Sequence, residues 1–194
     1  QDEQSMVPPG YTDDESLRAM YINRTEEVID RVVRAKPDMI LFLDKSARPV
    51  AWMMREFWSV FVPNEPMPEM KFVNIDSAEW THRSPDDPRP TDEEVDAVVI
   101  PEEAKDELRD IFTSKTTNPD PTEVVESNQS EVSSGENTYF DGRKVLIIDE
   151  ISTTGTTLRF AERVIRETFP EVEEVETTAW MRGEHFERRG YKYT

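Results

Sequence analysis

The 194-residue chain contains no cysteine. That absence excludes a disulfide, a thiolate zinc site and a cysteine nucleophile. Histidine is scarce as well. His82 and His185 are the only two, far apart and without partners at ligand spacing, so a transition-metal centre is not expected. Basic residues are also few, with 23 Lys and Arg against 42 Asp and Glu and a net charge of −19. An extended nucleic-acid interface needs a basic face, and this balance argues against one. An acidic surface also favours solubility and is common in salt-adapted proteins. No apolar run is long enough to span a membrane and no signal-peptide pattern opens the chain. The expectation is therefore a cytoplasmic protein without membrane contact. The chain opens on Gln1, as a trimmed or excised chain would.

What is present suits one α/β domain, because the length allows a real core and 36% of the residues are apolar. Residues 1–11 read as a loose polar arm with Pro8, Pro9 and Gly10, and residues 12–194 as a single domain. Thr12 and Glu15 form a capping box, followed by Leu17, Met20, Tyr21, Val28, Ile29, Val32 and Val33 at helical spacing until Lys36 and Pro37. Met39–Leu43 (MILFL) has the form of a buried strand. A helical pattern runs from Val50 through Trp58, with Pro49 as a first-turn residue. Lys71–Ser77 alternates as a strand. A second capping box, Thr91 and Glu94, precedes a stripe of Ala104, Leu108, Ile111 and Phe112. The polar stretch 113–138 reads as a mobile loop. Lys144–Ile148 is expected as a strand, Thr157–Phe169 as a helix and Glu176–Met181 as a last strand, with Trp180 packing on it. Strands alternating with helices predict a mainly parallel sheet flanked by helices, whose ligands bind at the carboxyl ends of the strands.

Two loops fall at that edge, DKSARP after the first strand and DEISTTGTTL after the third. In the second, an apolar strand ends in Asp149 and Glu150, and a hydroxyl-rich turn containing Gly155 then opens a helix. Glycine lets the backbone approach a ligand closely. Amides at a helix N-terminus favour phosphate, and the hydroxyls of Thr153, Thr154, Thr156 and Thr157 add hydrogen-bond donors. Carboxylates are poor partners for phosphate but good ones for sugar hydroxyls and, through water, for Mg²⁺. Phosphate donors at one end and diol acceptors at the other describe ribose 5-phosphate. In DKSARP, Lys45 and Arg48 suit a pyrophosphate as paired cations. An ordinary strand–turn–helix and a solvated turn are the plain alternatives. Ser46 and Ser152 lack the setting of a hydrolase nucleophile, and no P-loop or dinucleotide fingerprint occurs.

The run from Val145 to Leu158, VLIIDEISTTGTTL, resembles the phosphoribosyl-pyrophosphate binding motif of the type I phosphoribosyltransferases. LFLDKSARPVAWMM occupies the place of that family's pyrophosphate loop. The resemblance implies a type I fold and Mg²⁺-dependent transfer of ribose 5-phosphate from phosphoribosyl pyrophosphate to a nitrogenous base. It also implies that Asp149 and Glu150 hold the ribose hydroxyls and Mg²⁺ (through water), and that Ser152, Thr153, Thr154, Gly155, Thr156 and Thr157 surround the 5-phosphate. Lys45, Ser46, Ala47 and Arg48 would form the pyrophosphate loop, and 113–138 stands where the family has a hood loop. The partners implied are phosphoribosyl pyrophosphate and a small base, with association between copies of the chain left open. Thr153 departs from the branch resembling hypoxanthine-guanine phosphoribosyltransferase, which has an aspartate there to handle a proton on the base. The order Asp149–Glu150 departs from the more usual pair of aspartates. Arg182 to Thr194, with His185, Phe186, Tyr191 and Tyr193, is a short remainder for base recognition. The motif thus specifies the donor and leaves the acceptor open. The alternative is a non-catalytic module of the same fold that senses phosphoribosyl pyrophosphate or a nucleotide.

Overall fold

In the computed structural model, residues 15–43, 46–75, 91–113, 138–152 and 154–182 are described. The arm, Thr12, Lys45, Thr153, both histidines and all of 114–137 and 183–194 lie outside the described residues. The elements in chain order are α1 (Glu15–Ala35), β1 (Met39–Leu43), α2 (Arg48–Phe61), β2 (Glu69–Val73), α3 (Asp92–Ala97) and α4 (Glu102–Thr113). A 3₁₀ turn (Thr138–Phe140), β3 (Lys144–Ser152), α5 (Thr156–Thr168) and β4 (Glu174–Arg182) follow. The four strands form one parallel sheet in the order β2-β1-β3-β4. A mainly parallel sheet flanked by helices is therefore what the chain builds.

Both faces of the sheet are covered, which explains why its central strands are continuous apolar runs. Side chains alternate along a strand. Met39, Leu41, Leu43, Val145 and Ile147 pack with Leu108, Phe112, Leu158, Phe160, Val164 and Phe169 on the side of α4 and α5. Ile40, Phe42, Leu146 and Ile148 pack with Val28, Ile29, Val32, Val50, Met54 and Trp58 under α1 and α2. Trp180 belongs to this second cluster, stacks on Tyr21 at 5.1 Å and donates from Nε1 to Thr25 Oγ1 at 3.2 Å. It is a packing residue, as its place on the last strand suggested. At the amino edge, the Tyr139 hydroxyl donates to Glu69 Oε1 at 2.5 Å, and Arg143 lies over the Tyr139 ring. Burial and the Glu69 carboxylate hold the phenol protonated well above its ordinary range.

Several boundaries differ from the sequence reading, each for a physical reason. β2 runs Glu69–Val73, starting two residues before the expected Lys71 and ending before Asn74, because pairing Met39↔Glu69 through Leu43↔Val73 sets its register; Asp76 and Ser77 lie outside the described residues. α2 begins at Arg48, with Pro49 in its first turn. β3 continues past Ile148 through Ser152, held by pairs such as Asp149↔Ala179 and Ile151↔Met181. β4 is correspondingly longer at both ends, and α5 is shifted by one residue. The capping box is real, with Thr91 Oγ1 accepting from Glu94 N at 3.3 Å and Glu94 Oε2 from Thr91 N at 2.8 Å. It opens the short α3 rather than the helix that carries Leu108 and Phe112. Pro101 disfavours a helical conformation at Ile100 and so separates the two. Ile111, expected in the apolar stripe, is 45% exposed. Replacing the cap, Thr91→Ala, is expected to cost about 1 kcal/mol in chemical denaturation, and Thr91→Ser much less.

Candidate functional site

The sheet order places a crevice before any residue is considered. β1 leads through α2 to β2 on one side, and β3 leads through α5 to β4 on the other. These helices cover opposite faces, α2 with one cluster and α5 with the other. The chain therefore parts between the carboxyl ends of β1 and β3, a topological switch point of the kind that receives ligands in open parallel sheets. The loops on either side of this point are the two that the sequence singles out.

They meet. Ser46 Oγ, in the turn after β1, donates to Asp149 Oδ1 at 3.2 Å across 103 residues of sequence. The same carboxylate oxygen accepts the backbone N–H of Glu150 at 2.7 Å. Asp149 is only 9% exposed, and these bonds provide donor partners for a charge that burial alone would penalise. Glu150 is half-buried. Burial first, and then the neighbouring Asp149 charge, raise its carboxyl above the usual carboxylate range. The pair is thus divided between an inner carboxylate tied to the opposite loop and an outer one that gains from a hydroxyl donor or cation.

On the β1 side, α2 begins at this edge with Ala47 as its N-cap. No side chain caps it and no acid lies in its first turn. Ala47 is fully buried and belongs to the core cluster under α2, so its side chain serves packing. Arg48 is exposed and its guanidinium lies 5.4 Å from the Phe72 ring centroid, inclined toward β2. A cation in the first turn opposes the helix dipole, a tension that a bound anion relieves.

On the β3 side, Gly155 is the N-cap of α5 with φ +83° and ψ −2°, in the left-handed region. This helix too lacks a side-chain cap and first-turn acids. Ser152 lies beneath the turn, its Oγ 3.8 Å from where a Cβ on Gly155 would stand. Thr154 is exposed, Thr157 half-buried and Thr156 buried. Thr154 and Thr156 hydroxyls are 2.9 Å apart, and Thr156 N donates to Thr154 Oγ1 at 3.4 Å. Gly155, Thr154, Thr156 and Thr157 therefore share one turn at the start of α5, with the acidic pair on the strand that leads into it.

Two residues that the sequence reading missed adjoin this turn. Thr156 Oγ1 donates to Asp92 Oδ1 at 3.0 Å, and Arg159 Nη1 donates to Asp92 Oδ2 at 3.2 Å. Arg159 also pairs with Asp96. Arg163 fixes α3 in this position by donating to the carbonyls of Val95, Asp96 and Val98 at 2.8, 2.9 and 2.6 Å, around the C-terminal end of α3. A helical spacing of Arg159 from Gly155 is the only local hint, and nothing local points to Asp92.

Among the described residues, no group of three or more His, Cys, Asp or Glu could hold a metal ion by itself, and no helix is long and apolar enough to cross a membrane. The donors present suit the other mode, in which Mg²⁺ keeps several waters and binds one or two carboxylates together with ligand phosphates.

No protein-family model matches the chain, and no characterised protein matches it in sequence. Solved structures with a similar chain trace include a hypoxanthine phosphoribosyltransferase from Staphylococcus aureus. It is 13% identical with a TM-score of 0.43, over 86% of this chain and 65% of that one. A hypoxanthine phosphoribosyl transferase from Trypanosoma cruzi is 13% identical with a TM-score of 0.46, over 93% of this chain and 70% of that one. The chain thus spans 65% of the length of the first of these. At that identity few side chains are shared.

Proposed function

We propose that the chain binds phosphoribosyl pyrophosphate in the crevice between β1 and β3 and transfers its ribose 5-phosphate to a nitrogenous base, releasing pyrophosphate. The observation that carries this reading is the Ser46–Asp149 hydrogen bond, because it joins the cationic loop and the carboxylate–hydroxyl loop into one site. A phosphate cradle alone would fit many esters. A phosphate cradle, two carboxylates and a second anion loop at one switch point fit a ligand with anions at both ends and a diol between them.

The chemistry then divides among the residues as follows. The amides and hydroxyls at the start of α5 hold the 5-phosphate. Glu150, the outer carboxylate, accepts a ribose hydroxyl, and Asp149 holds Ser46 and the loop of Lys45 and Arg48 in register. A C1–N bond to the base forms as the C1–O bond to pyrophosphate breaks, so positive charge grows on the ring and negative charge on the leaving group. Arg48 and Lys45 stabilise the leaving group, and the two carboxylates stabilise the ring. Mg²⁺, held by Asp149 and Glu150 through water together with the ligand, would neutralise pyrophosphate charge. An acceptor already partly ionised needs no general base.

Incubation with phosphoribosyl pyrophosphate, Mg²⁺ and a panel of bases, followed by pyrophosphate release and nucleotide mass, tests this directly. Turnover with at least one base is expected. Calorimetric binding without turnover would assign the chain to a sensing role instead, and no binding at millimolar ligand would overturn the site.

A further inference from the structure

The hydroxyls of the α5 cradle already have a partner within the chain. A carboxylate only accepts, so the single proton of Thr156 Oγ1 is committed to Asp92 Oδ1 at 3.0 Å. Thr154 must then be the donor in its 2.9 Å contact with Thr156. Two hydroxyl protons of the cradle are thereby drawn into a line that ends on Asp92. Thr156 N is drawn in as well, through Thr154 Oγ1. The charge of Asp92 is only partly offset, because Arg159 is shared between Asp92 and Asp96. Two carboxylates thus face one guanidinium beside a turn suited to anions. Asp92 is not free to drift away with its helix, since Arg163 holds the far end of α3 by three carbonyls.

We propose that Asp92 is an internal competitor for this cradle, an anion of the chain itself that a phosphate must displace from Thr156. The proposal rests on the reading of the α5 turn as a phosphate site and adds a determinant of what may occupy it. An isolated phosphate gains the amides but meets the Asp92 charge and must recover the committed hydroxyls. A ribose 5-phosphate has further contacts at Glu150 with which to offset that cost. Asp92 therefore lowers the affinity of every phosphate for this turn by a similar factor, so that a ligand with further contacts still occupies the site while inorganic phosphate, which has none, is left bound weakly.

The test is calorimetric titration of wild type, Asp92→Asn and Asp92→Ser with inorganic phosphate and with ribose 5-phosphate, each variant first shown to melt cooperatively. Both substitutions remove the charge; asparagine keeps an oxygen at the δ position that can accept from Thr156, and serine is too short to place one there. Inorganic phosphate and ribose 5-phosphate are each expected to bind both variants about tenfold more tightly than wild type, from loss of one close like charge. Equal or weaker phosphate binding by the folded variants, with wild type still binding ribose 5-phosphate, would overturn the competitor and leave the site intact. Failure of wild type and variants alike to bind ribose 5-phosphate at millimolar concentration would overturn the site and the competitor together.

Discussion

Asp149→Asn combined with Glu150→Gln is expected to weaken ribose 5-phosphate and phosphoribosyl pyrophosphate binding by roughly a hundredfold or more, while the protein still folds. Charge-assisted hydrogen bonds are worth about 1.5–3 kcal/mol each, and about 1.4 kcal/mol is a factor of ten in affinity. The two single variants should fail differently. Asp149 is inside, accepting from Ser46 Oγ and Glu150 N, so Asp149→Asn presents an amide that must turn its oxygen to both donors. It is expected to lower stability and to loosen the Ser46 turn, reducing pyrophosphate affinity as well as ribose affinity. Glu150 is the outer group, with a carboxyl raised above its ordinary range by burial and by Asp149. A carboxyl whose folded pKa exceeds its unfolded one destabilises the fold at high pH. The cost begins as pH rises through the unfolded value and is complete above the folded one. Glu150→Gln should therefore raise the melting temperature near neutral pH, and this gain should vanish below the carboxylate range. Binding lost with stability gained is the signature of a group kept for its ligand. A Glu150→Gln protein that binds ribose 5-phosphate as wild type does would sink the assignment of the diol.

The parts of this site differ in how far the sequence alone could show them. MILFL and VLII were legible because strands covered on both faces need no alternation, and both runs are short enough to be strands rather than helices. The loop after β3 stood out because acids and hydroxyls, residue types with opposite ligand preferences, stand side by side in it, and the loop after β1 stood out for its two cations, Lys45 and Arg48. β2 was misjudged by its own alternating pattern. It is an edge strand with Phe72 40% exposed, so its partner β1 fixes its extent more than its side chains do. The capping box at Thr91 and Glu94 and the stripe from Ala104 to Phe112 were both visible because each is local, and the structure assigns them to two helices on either side of Pro101. Contacts that span the sheet left no trace. Ser46 and Asp149 are 103 residues apart, Asp92 and Thr156 64, and a serine or aspartate in a turn looks the same whether or not it has a distant partner. The sequence therefore contained both halves of the crevice but not the bond that joins them, nor the carboxylate that sits against the cradle.

Gly155→Val is expected to damage both stability and phosphate affinity, because the cradle depends on a backbone conformation that valine resists. The position has φ +83°, and among the described residues the one heavy atom near an added Cβ is Ser152 Oγ at 3.8 Å, an ordinary contact. Space is thus available, and the cost comes from the backbone itself. A non-glycine residue in the left-handed region costs about 1–3 kcal/mol, and a β-branched one lies at the upper end. The chain has two ways to respond. If α5 and its neighbours hold Gly155 in place, the full cost appears as lost stability and the cradle survives. If the turn relaxes to negative φ, stability recovers but the amides of residues 155–157 no longer converge, and phosphate affinity falls. The core side of α5 is buried through Leu158, Phe160, Ala161, Val164 and Ile165, whereas the turn ahead of it is exposed at Thr154. The helix is therefore the rigid part and the turn is the part that gives. Most of the cost should consequently appear as affinity, with ribose 5-phosphate bound at least about tenfold more weakly and a modest fall in melting temperature. Gly155→Asn separates conformation from side-chain bulk, since asparagine enters the left-handed region more readily than other residues. It should retain most of the affinity that valine loses. Equal losses for asparagine and valine would show that bulk rather than φ is responsible, and undiminished affinity in Gly155→Val would show that the phosphate is not held by this turn.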